Sequence, residues 1–568
     1  MTGDLNLGTL VRAVAERVPQ RVAVRQGERV LTYAELVDRS TRLARYLNDR
    51  GIGHFADRSQ LRGHESGQHL LAQYLHNAPQ FIEGLVGCYL GRVAPFNVNY
   101  RYTADELRYL LRDAAPTVIQ YHAAFAPVLA EVLPDLPGAQ ILLQVADGSG
   151  NPLLRGAVDY EEALASATPE VHQDLSPDDL YVIYTGGTTG MPKGVLWRQG
   201  DAAVATLGLR DKRGDREWTD IRAALTAIRA DPARVLPCAP MMHGAAQWAA
   251  LGAVCEGNTV VFPEHAQRFT AADGLAAVAS HRVTVITLVG DAFGWPLVEE
   301  LQRGNYDVSS LRVIVSGGAA LHASCKQRLV ELIPGVRVVE NIGSSESGIV
   351  GSHVSADAVS AAEVTFTPDD SMFVVAEDLS HFLEAGHDGV GWLARGGRIP
   401  LGYLGDADKT ARTFPVVEGM RVTISGDRAR LLADGQVQLL GRDALTINTG
   451  GEKVFVEEVE AVLKDHPDVA DALVCGRPSE RWGSEVAAVV VAPSGIDEPA
   501  VLDFCRSRLA RYKIPRVLHV VPRIVRSDTG KPDYEWAVQI VSELGAPAPQ
   551  DSPPESAATG TLKEGSCS

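Results

Sequence analysis

Apolar and polar residues alternate along the middle of the chain with a rhythm typical of α/β proteins. Short, nearly continuous apolar runs cover residues 283–289, 311–315 and 336–339, and each is followed within two residues by Gly or Asn. Between two of these runs, residues 319–332 have the spacing of a helix. This pattern is typical of buried parallel strands that are joined by crossover helices. We therefore predict an α/β fold whose large N-terminal domain has mixed and parallel sheets with crossover helices.

Two capping boxes mark helix starts in the N-terminal part of the chain. Thr32 is followed three residues later by Glu35, and the apolar spacing that begins there predicts a helix to about Asp49. Thr103 and Glu106 repeat the arrangement. Because the hydroxyl and the carboxylate each satisfy a backbone N–H of the first turn, these pairs predict helix N-termini at both places.

Beyond Gly441 the pattern changes to that of a smaller α+β domain. The apolar spacing predicts helices at 456–464 and 498–509 and strands at 470–475, 485–491 and 517–521. We predict an N-terminal domain at 1–441, a hinge at 442–446 and a mobile C-terminal domain at 447–545, a usual domain size. Residues 546–568 are rich in Pro, Ser, Ala and Gly, and we expect this tail to be disordered.

Composition excludes several broad classes of protein. The chain has 568 residues, too many for one core, and its 53 basic and 71 acidic residues leave a net charge of −18. That charge argues against sequence-independent binding of nucleic acid. The sequence has no 18-residue apolar run and no apolar signal-peptide core in residues 1–19, so we expect a cytoplasmic protein. Seven scattered cysteines form no Cys-x-x-Cys pair, which predicts reduced packing residues.

The loop from Tyr184 to Gly194 is the strongest chemical signal in the chain. It lies between two apolar runs that read as strands, and residues 184–193 hold three Gly, three Thr and one Lys. Glycines let the backbone N–H groups approach a phosphate closely, and the hydroxyls and the lysine add donors and positive charge. A Gly-Thr surface turn that binds nothing would not require this combination of glycines, threonines and a lysine. The loop therefore predicts a polyphosphate site made by Thr185, Gly186, Gly187, Thr188, Thr189, Gly190 and Lys193.

This loop is not the P-loop of kinases and GTPases. Pro192 precedes the lysine, no Ser or Thr follows it, and the next residues are strand-like, whereas a P-loop opens a helix with Gly-Lys-Ser/Thr. The string instead resembles the signature loop of the adenylate-forming superfamily, which includes acyl-CoA synthetases, luciferases and peptide-synthetase adenylation domains.

Glu346 follows a predicted strand on a polar turn that is bounded by Gly343 and Gly348. Mg²⁺ typically takes one or two protein carboxylates together with phosphate oxygens, so this turn suits a metal beside ATP. The turn resembles the superfamily's Gly-x-Thr/Ser-Glu motif. That resemblance implies that Ser345 meets the α-phosphate and that Glu346, with Thr189, holds magnesium. Ile342 stands where relatives often have Tyr.

Further residues match the superfamily near the predicted domain boundary. The resemblance implies that Asp427 and Arg442 contact the ribose, and that Lys531, in a Gly-Lys turn, pairs with the developing negative charge during adenylation. Lys531 is therefore the predicted catalytic residue. Gly450 and Gly451 are implied to line the tunnel for the pantetheine arm of CoA.

The acid requires a pocket of its own. Residues 240–248 and 290–293 combine apolar side chains with a few polar groups, which is typical of small-molecule sites. By resemblance His243 lies near the acyl carboxylate and is assigned to the catalytic set. Gly317, Gly318 and Ala319 are implied to lie between adenine and substrate.

These motifs occur in the superfamily's order over nearly the whole chain before the tail. The strings at 61–68, 94–102 and 289–293 resemble more narrowly bacterial acyl-CoA synthetases for long-chain or steroid side-chain acids. The resemblance implies ATP, Mg²⁺ and CoA, and a two-step reaction through an acyl-adenylate. An acyl-AMP ligase that loads a carrier protein and a non-catalytic acyl or nucleotide sensor remain alternatives. Membrane contact and a homodimer are left open.

Overall fold

The computed structural model divides into two compact units. The large unit is Met1–Ala444 with Arg526–Lys531, and the small unit is Leu445–Val525 with Pro532–Ser568. The domain limits expected from the sequence stay a prediction. The residues that the structure describes are 5–136, 141–170, 174–185, 191–211, 216–218, 220–265, 267–319, 321–355, 365–449, 452–479, 483–509, 511–526 and 530–543.

Helices occur throughout both units. Those of the large unit are α1 (Leu7–Arg17), α2 (Tyr33–Asn48), α3 (Pro79–Leu90), α4 (Ala104–Ala114), α5 (Ala126–Val132), α6 (Tyr160–Ala165), α7 (Gln199–Ala205), α8 (Ile221–Thr226), α9 (Gly244–Cys255), α10 (Ala271–His281), α11 (Gly290–Arg303), α12 (Ala323–Leu332) and α13 (Ala407–Thr413). Those of the small unit are α14 (Val456–Lys464), α15 (Glu498–Arg506) and α16 (Tyr534–Glu543). Within the described residues, no helix is long and apolar enough to span a membrane.

The strands are numerous and mostly short. In the large unit they are β1 (Val22–Gln26), β2 (Arg29–Thr32), β3 (Leu70–Tyr74), β4 (Ala94–Asn97), β5 (Val118–His122), β6 (Ile141–Val145), β7 (Ala157–Asp159), β8 (Leu180–Thr185), β9 (Lys193–Arg198), β10 (Arg210–Asp211), β11 (Arg216–Glu217), β12 (Arg234–Pro237), β13 (Thr259–Phe262), β14 (Val285–Leu288), β15 (Val313–Gly317), β16 (Arg337–Ser344), β17 (Gly348–Ser355), β18 (Thr365–Phe366), β19 (Met372–Val375), β20 (Gly391–Arg395), β21 (Gly402–Tyr403), β22 (Val416–Val417), β23 (Met420–Arg421), β24 (Thr423–Leu431) and β25 (Val437–Arg442). In the small unit they are β26 (Ile447–Thr449), β27 (Glu452–Val454), β28 (Asp471–Ser479), β29 (Gly483–Val491) and β30 (Val517–Val520).

Two sheets with parallel strands form the frame of the large unit. An eight-stranded sheet has the order β17-β16-β15-β14-β12-β13-β1-β2, and a five-stranded sheet has the order β4-β3-β5-β6-β7. Strands β14, β15 and β16 pair in parallel, as the apolar runs predicted. Strands β12 and β13, which were not predicted, extend the parallel part of this sheet. Leu47 of α2, Phe81 of α3, Val24 of β1 and Val118 of β5 belong to one hydrophobic core, so these helices join the two sheets.

Local signals in the sequence set four of the five predicted helix starts correctly, namely those of α2, α4, α14 and α15. Both predicted capping boxes are present, at α2 and at α4. The helix predicted from residue 319 begins only at Ala323. Gly318 has a φ of +84°, and the Asp291 carboxylate accepts the N–H of His322 at 2.8 Å, so a tertiary contact ends the preceding turn.

Two antiparallel sheets of the large unit carry the loops that matter for function. One has the order β21-β9-β8 and the other the order β18-β25-β24-β20-β19. Strands β8 and β9 form a hairpin, with Thr185 paired to Lys193, and residues 186–190 between them lie outside the described residues.

The small unit is α+β, as the sequence predicted. Strands β26, β27, β28 and β29 pair antiparallel, and β30 adds to β29 in parallel. Helix α14 matches its predicted limits, and its buried face packs on β28. Strands β26 and β27 and helix α16 are additional to the predicted set.

Candidate active site

The turn that carries Glu346 is shaped by two glycines. Gly343 is the next-to-last residue of β16 in the hairpin with β17, and a Cβ at this position would lie 1.9 Å from the carbonyl oxygen of Gly348. Gly348 itself has a φ of +67°, a backbone conformation that residues with a side chain rarely adopt. Close approach of the backbone therefore requires glycine at both ends of the turn.

Hydrogen bonds from inside and outside the turn hold its backbone. The Ser344 hydroxyl accepts the N–H groups of Glu346 and Ser347, each at 3.2 Å. The carbonyl of Ser345 accepts the indole N–H of Trp197 at 2.9 Å. The carbonyl of Glu346 accepts the hydroxyl of Thr423 at 3.2 Å. Strands β9 and β24 thus fix the turn in place.

The Glu346 carboxylate has a buried partner that sequence reasoning missed. The hydroxyl of Tyr403 donates to Oε1 of Glu346 at 2.8 Å, and Tyr403 is 3 % exposed. Burial, followed by the negative charge of Glu346, raises the pKa of Tyr403 well above its ordinary value. The hydroxyl therefore stays protonated and orients the carboxylate.

Magnesium fits this carboxylate as a shared ligand. Across the described ranges, no group of three or more His, Cys, Asp or Glu side chains could form an all-protein metal site. Mg²⁺ needs few protein ligands when phosphate oxygens complete its shell, and one oriented carboxylate meets that need. Thr189, the second predicted metal ligand, lies outside the described residues.

Arg395, whose role the sequence analysis did not predict, donates hydrogen bonds to the backbone of the same turn and of the strand that follows it. It is 2 % exposed on β20, and its guanidinium donates to the carbonyls of Ser347, at 3.1 Å, and of Ile349. Burial is the main reason that the pKa of Arg395 falls to about 10, so the side chain is a cation at neutral pH. An arginine inside an apolar strand was the available signal for such a role.

The predicted ribose residues lie side by side on neighbouring strands. Asp427 of β24 pairs in register with Arg442 of β25, and the Arg442 Nε lies 3.2 Å from Oδ1 of Asp427. The Ser425 hydroxyl donates to Asp427 at 3.0 Å. Burial raises the pKa of Asp427, while the charge of Arg442 opposes that shift. The pair can therefore present both acceptors and donors to a sugar.

Lys531 shares the electrostatic environment of these residues. The segment Arg526–Lys531 is grouped with the large unit, where a Cβ at Gly530 would lie 2.6 Å from the Cβ of Ala292. Loss of hydration, and then the charge of Arg442, lower the pKa of Lys531, whereas Glu346 and Asp427 act in the opposite direction. Solvent still reaches part of the side chain and screens these charges. The structure thus brings together Glu346, Asp427, Arg442 and Lys531.

The lysine of the predicted phosphate loop is already engaged by carboxylates. Nζ of Lys193 lies 2.9 Å from Oδ1 of Asp113 and 3.9 Å from Oδ2 of Asp406. The Tyr184 hydroxyl donates to the other oxygen of Asp113 at 2.9 Å. Asp113 lies on α4, 80 positions from Lys193, and no sequence signal linked the two.

Gly194 explains how the Tyr184 ring reaches that carboxylate. The two residues are directly opposite on β8 and β9, and a Cβ at Gly194 would lie 2.7 Å from the ring. Glycine leaves the ring room to cross the strand. Thr185 ends β8 beside this contact, while Gly186, Gly187, Thr188 and Gly190 lie outside the described residues.

His243 occupies the N-cap position of α9, and its side chain makes no capping hydrogen bond there. Burial, and then the charges of Lys531 and Arg101, lower the pKa of His243 to about 3, and its Nε2 has no hydrogen-bond partner among the described residues. The loop before it is held by Asn97, whose amide donates to the carbonyls of Met242 at 2.6 Å and of Tyr184 at 2.8 Å. The predicted acid pocket and phosphate loop are therefore tied together through one side chain.

The remaining predicted residues lie at strand ends. Gly317 ends β15 opposite Asn341, and Gly318 and Ala319 follow it. Gly290 donates its N–H to the Ser316 hydroxyl at 3.2 Å, which joins the ends of β14 and β15. Gly450 and Gly451 lie outside the described residues.

Comparison with known proteins places this arrangement in context. A family model described as AMP-binding enzyme matches residues 11–404, and one described as AMP-binding enzyme C-terminal domain matches residues 458–531. Medium-chain acyl-CoA ligase Mig of Mycobacterium avium is 49% identical over 94% of this chain and 98% of its own. The 3-oxocholest-4-en-26-oate–CoA ligase of Rhodococcus rhodochrous is 38% identical over 94% and 95%.

Solved structures share the fold at lower identity. The anthranilate CoA ligase AuaEII in complex with anthranoyl-AMP has a TM-score of 0.79 at 19% identity, covering 96% of this chain and 98% of its own. ATP-bound MatB from Rhodopseudomonas palustris has a TM-score of 0.77 at 22% identity, covering 95% and 100%. At these identities the likeness concerns the fold alone.

Proposed function

The chain belongs to the AMP-binding enzyme family and is an ATP-dependent acyl-CoA ligase, and we propose that its substrate is a medium- to long-chain hydrophobic carboxylic acid. One observation carries the proposed mechanism: Glu346, Asp427, Arg442 and Lys531, which come from separate segments, share one electrostatic environment. Such convergence of opposite charges suits a nucleotide whose phosphate gains charge in the transition state.

In the first step, a carboxylate oxygen of the acid attacks the α-phosphorus of ATP. A new P–O bond forms, the bond to the bridging oxygen breaks, and pyrophosphate leaves. Lys531 donates to the oxygens on which negative charge develops, and Asp427 and Arg442 hold the ribose so that the reacting atoms stay aligned. The loop from Thr185 to Lys193 holds the outgoing phosphates.

Magnesium, when bound, would neutralise part of the phosphate charge, and Glu346 would hold it. The contribution of this chain is to keep that carboxylate in one orientation. Tyr403 donates to it, and Arg395 and Ser344 hold the backbone on which it stands. These three are positioning residues, since each acts on substrate only through Glu346.

In the second step, the CoA thiol attacks the acyl carbonyl of the adenylate and AMP leaves. We place the pantetheine arm along Gly450 and Gly451 on the strength of the superfamily motif. His243 is neutral at physiological pH, so its ring can hydrogen-bond the acid without adding charge. Exclusion of water from the closed site would protect the adenylate from hydrolysis.

The acid is proposed to be aliphatic and of medium length. The relative that is 49% identical is named for medium-chain acyl groups. Those named for 3-oxocholest-4-en-26-oate are 36–39% identical, and some of these are also named for medium- and long-chain fatty acids. Met241, Met242 and Ala246 beside His243 are buried and apolar, which suits a hydrocarbon chain. A steroid side-chain acid is the second candidate, favoured by those more distant relatives.

The test is pyrophosphate release from Mg-ATP with acids of six to eighteen carbons and a steroid side-chain acid, each with and without CoA. We expect acid-dependent release, formation of acyl-CoA only with CoA, and the highest kcat/KM with a medium-chain acid. If the acyl-adenylate forms but free CoA yields no thioester, and the acyl group is transferred to a phosphopantetheinylated carrier protein, the protein is instead an acyl-AMP ligase. Binding without pyrophosphate release would indicate a sensor.

A further inference from the structure

A surface cavity of about 510 Å³ in the large unit is lined by three arginines. The charged and apolar side chains that define it, which we call the arginine cavity, are Arg58, Arg198, Arg421, Asp178, Leu61 and Leu401. None of these residues belongs to the predicted ATP or acid sites. Arg198 and Lys193 are at opposite ends of β9, so the cavity lies about 17 Å along the strand from the phosphate-loop lysine.

Two of the arginines are held in place by uncharged groups. Arg58 donates to the carbonyls of Glu65, at 2.6 Å, and of Arg62. Arg421 donates to the carbonyls of Pro400 at 2.8 Å and of Leu401 at 2.7 Å. Carbonyl oxygens orient a guanidinium but leave its net charge in place. Both side chains are therefore preorganised cations.

Acidic groups compensate only part of this charge. Asp178 lies 3.3 Å from Arg198 and is the one carboxylate that lines the cavity among the residues that the structure describes. Asp201 lies 3.8 Å from Arg198 but is closer to Arg398, at 3.0 Å.

The arginines also repel one another. After burial, the charge of Arg198 is the next cause that lowers the pKa of Arg58 and of Arg421. Glu65 and Asp178 oppose the shift of Arg58, and Asp201 opposes that of Arg421. Guanidinium groups carry a positive charge in proteins at neutral pH. The whole protein has a net charge of −18, so the local excess of positive charge along this cavity is opposite in sign to the charge of the protein as a whole.

We propose that the arginine cavity binds the phosphate group of a small phosphate ester. Guanidinium groups match phosphate oxygens with paired donors, and an anion would relieve the repulsion between the arginines. The volume is within the range of small-molecule sites and exceeds that of inorganic phosphate, and Leu61 and Leu401 offer apolar contact to the organic part. A soluble ester and a lipid headgroup share this chemistry.

The proposal is tested by titrating the full-length protein with glycerol 3-phosphate while Mg²⁺ and a non-hydrolysable ATP analogue saturate the ATP site. We expect one binding event that is weakened about ten-fold or more by Arg198→Gln, because one charged donor is lost. Arg303→Gln, a matched control that removes an exposed arginine on α11 outside the cavity lining, should leave this event unchanged.

A second arm separates the two sources of phosphate. Vesicles of phosphatidylcholine with phosphatidic acid are compared with vesicles of phosphatidylcholine alone, again with Arg198→Gln. Binding to phosphatidic acid vesicles alone assigns the lipid source, and binding to glycerol 3-phosphate alone assigns the soluble one. Absence of binding in both arms, or binding that Arg198→Gln does not weaken, overturns the proposal. Neither result depends on whether pyrophosphate release is observed.

Discussion

The substitution Tyr403→Phe removes one hydroxyl from beneath the candidate metal carboxylate. That hydroxyl donates to Oε1 of Glu346 at 2.8 Å, and the ring around it is 3 % exposed. Phenylalanine fills the same volume, so the packing of β21 against the rest of its sheet is kept. The carboxylate loses its buried donor, while its backbone is still held by Ser344 and Arg395.

The size of the effect follows from the type of hydrogen bond. A hydrogen bond to a charged group contributes about 1.5–3 kcal/mol, which corresponds to about 10- to 100-fold in an equilibrium constant. Loss of a partner that orients a metal ligand typically costs a similar factor in metal affinity. We therefore expect the Mg²⁺ concentration for half-maximal pyrophosphate release to rise about ten-fold or more. The rate at saturating Mg²⁺ should recover in large part, since Glu346 is still present.

The assay measures pyrophosphate release over a range of Mg²⁺ concentrations, with ATP and the acid substrate both saturating. The matched control is Tyr160→Phe, which removes a buried hydroxyl that donates to the Glu83 carboxylate at 3.0 Å, away from the candidate site. The control should keep the wild-type Mg²⁺ dependence. If Tyr403→Phe also keeps it within two-fold, or if both variants lose activity alike at every Mg²⁺ concentration, the positioning role of Tyr403 is refuted.

Substitutions at three further residues test other parts of the site. Lys531→Ala should slow pyrophosphate release about 10²–10³-fold, yet spare thioester formation from synthetic acyl-adenylate. Lys531→Arg should move the alkaline loss of adenylation to higher pH, because the pKa of Lys531 is lowered and the lysine loses its charge as pH rises. Asp113→Asn should raise KM for ATP several-fold by releasing Lys193, and a lower KM would mean that Asp113 competes with phosphate. Gly194→Ala should destabilise the fold by about 1–3 kcal/mol in thermal unfolding, since its Cβ would meet the Tyr184 ring, and an unchanged Tm would contradict that contact.

The elements that the sequence predicted well depend on neighbours in the chain. Thr32 and Glu35 form their capping box within one helical turn, and the parallel strands β14, β15 and β16 follow from apolar runs bounded by glycine or asparagine. The start of α12 was wrong because Asp291, 31 positions away, accepts the N–H of His322. At this position a tertiary contact, and not the local helix preference of the sequence, sets where the helix begins.

The sequence by itself determined the fold class and the residues that carry the superfamily motifs, because each motif is contiguous and its spacing reflects one loop or turn. Only the tertiary structure decided how those residues are supported. Tyr403 reaches Glu346 across 57 positions, Asp113 reaches Lys193 across 80, and Arg395 reaches Ser347 across 48. A hydrogen bond or ion pair depends on distance in space, and separations of this length are set by sheet order and packing, which no short stretch of sequence contains.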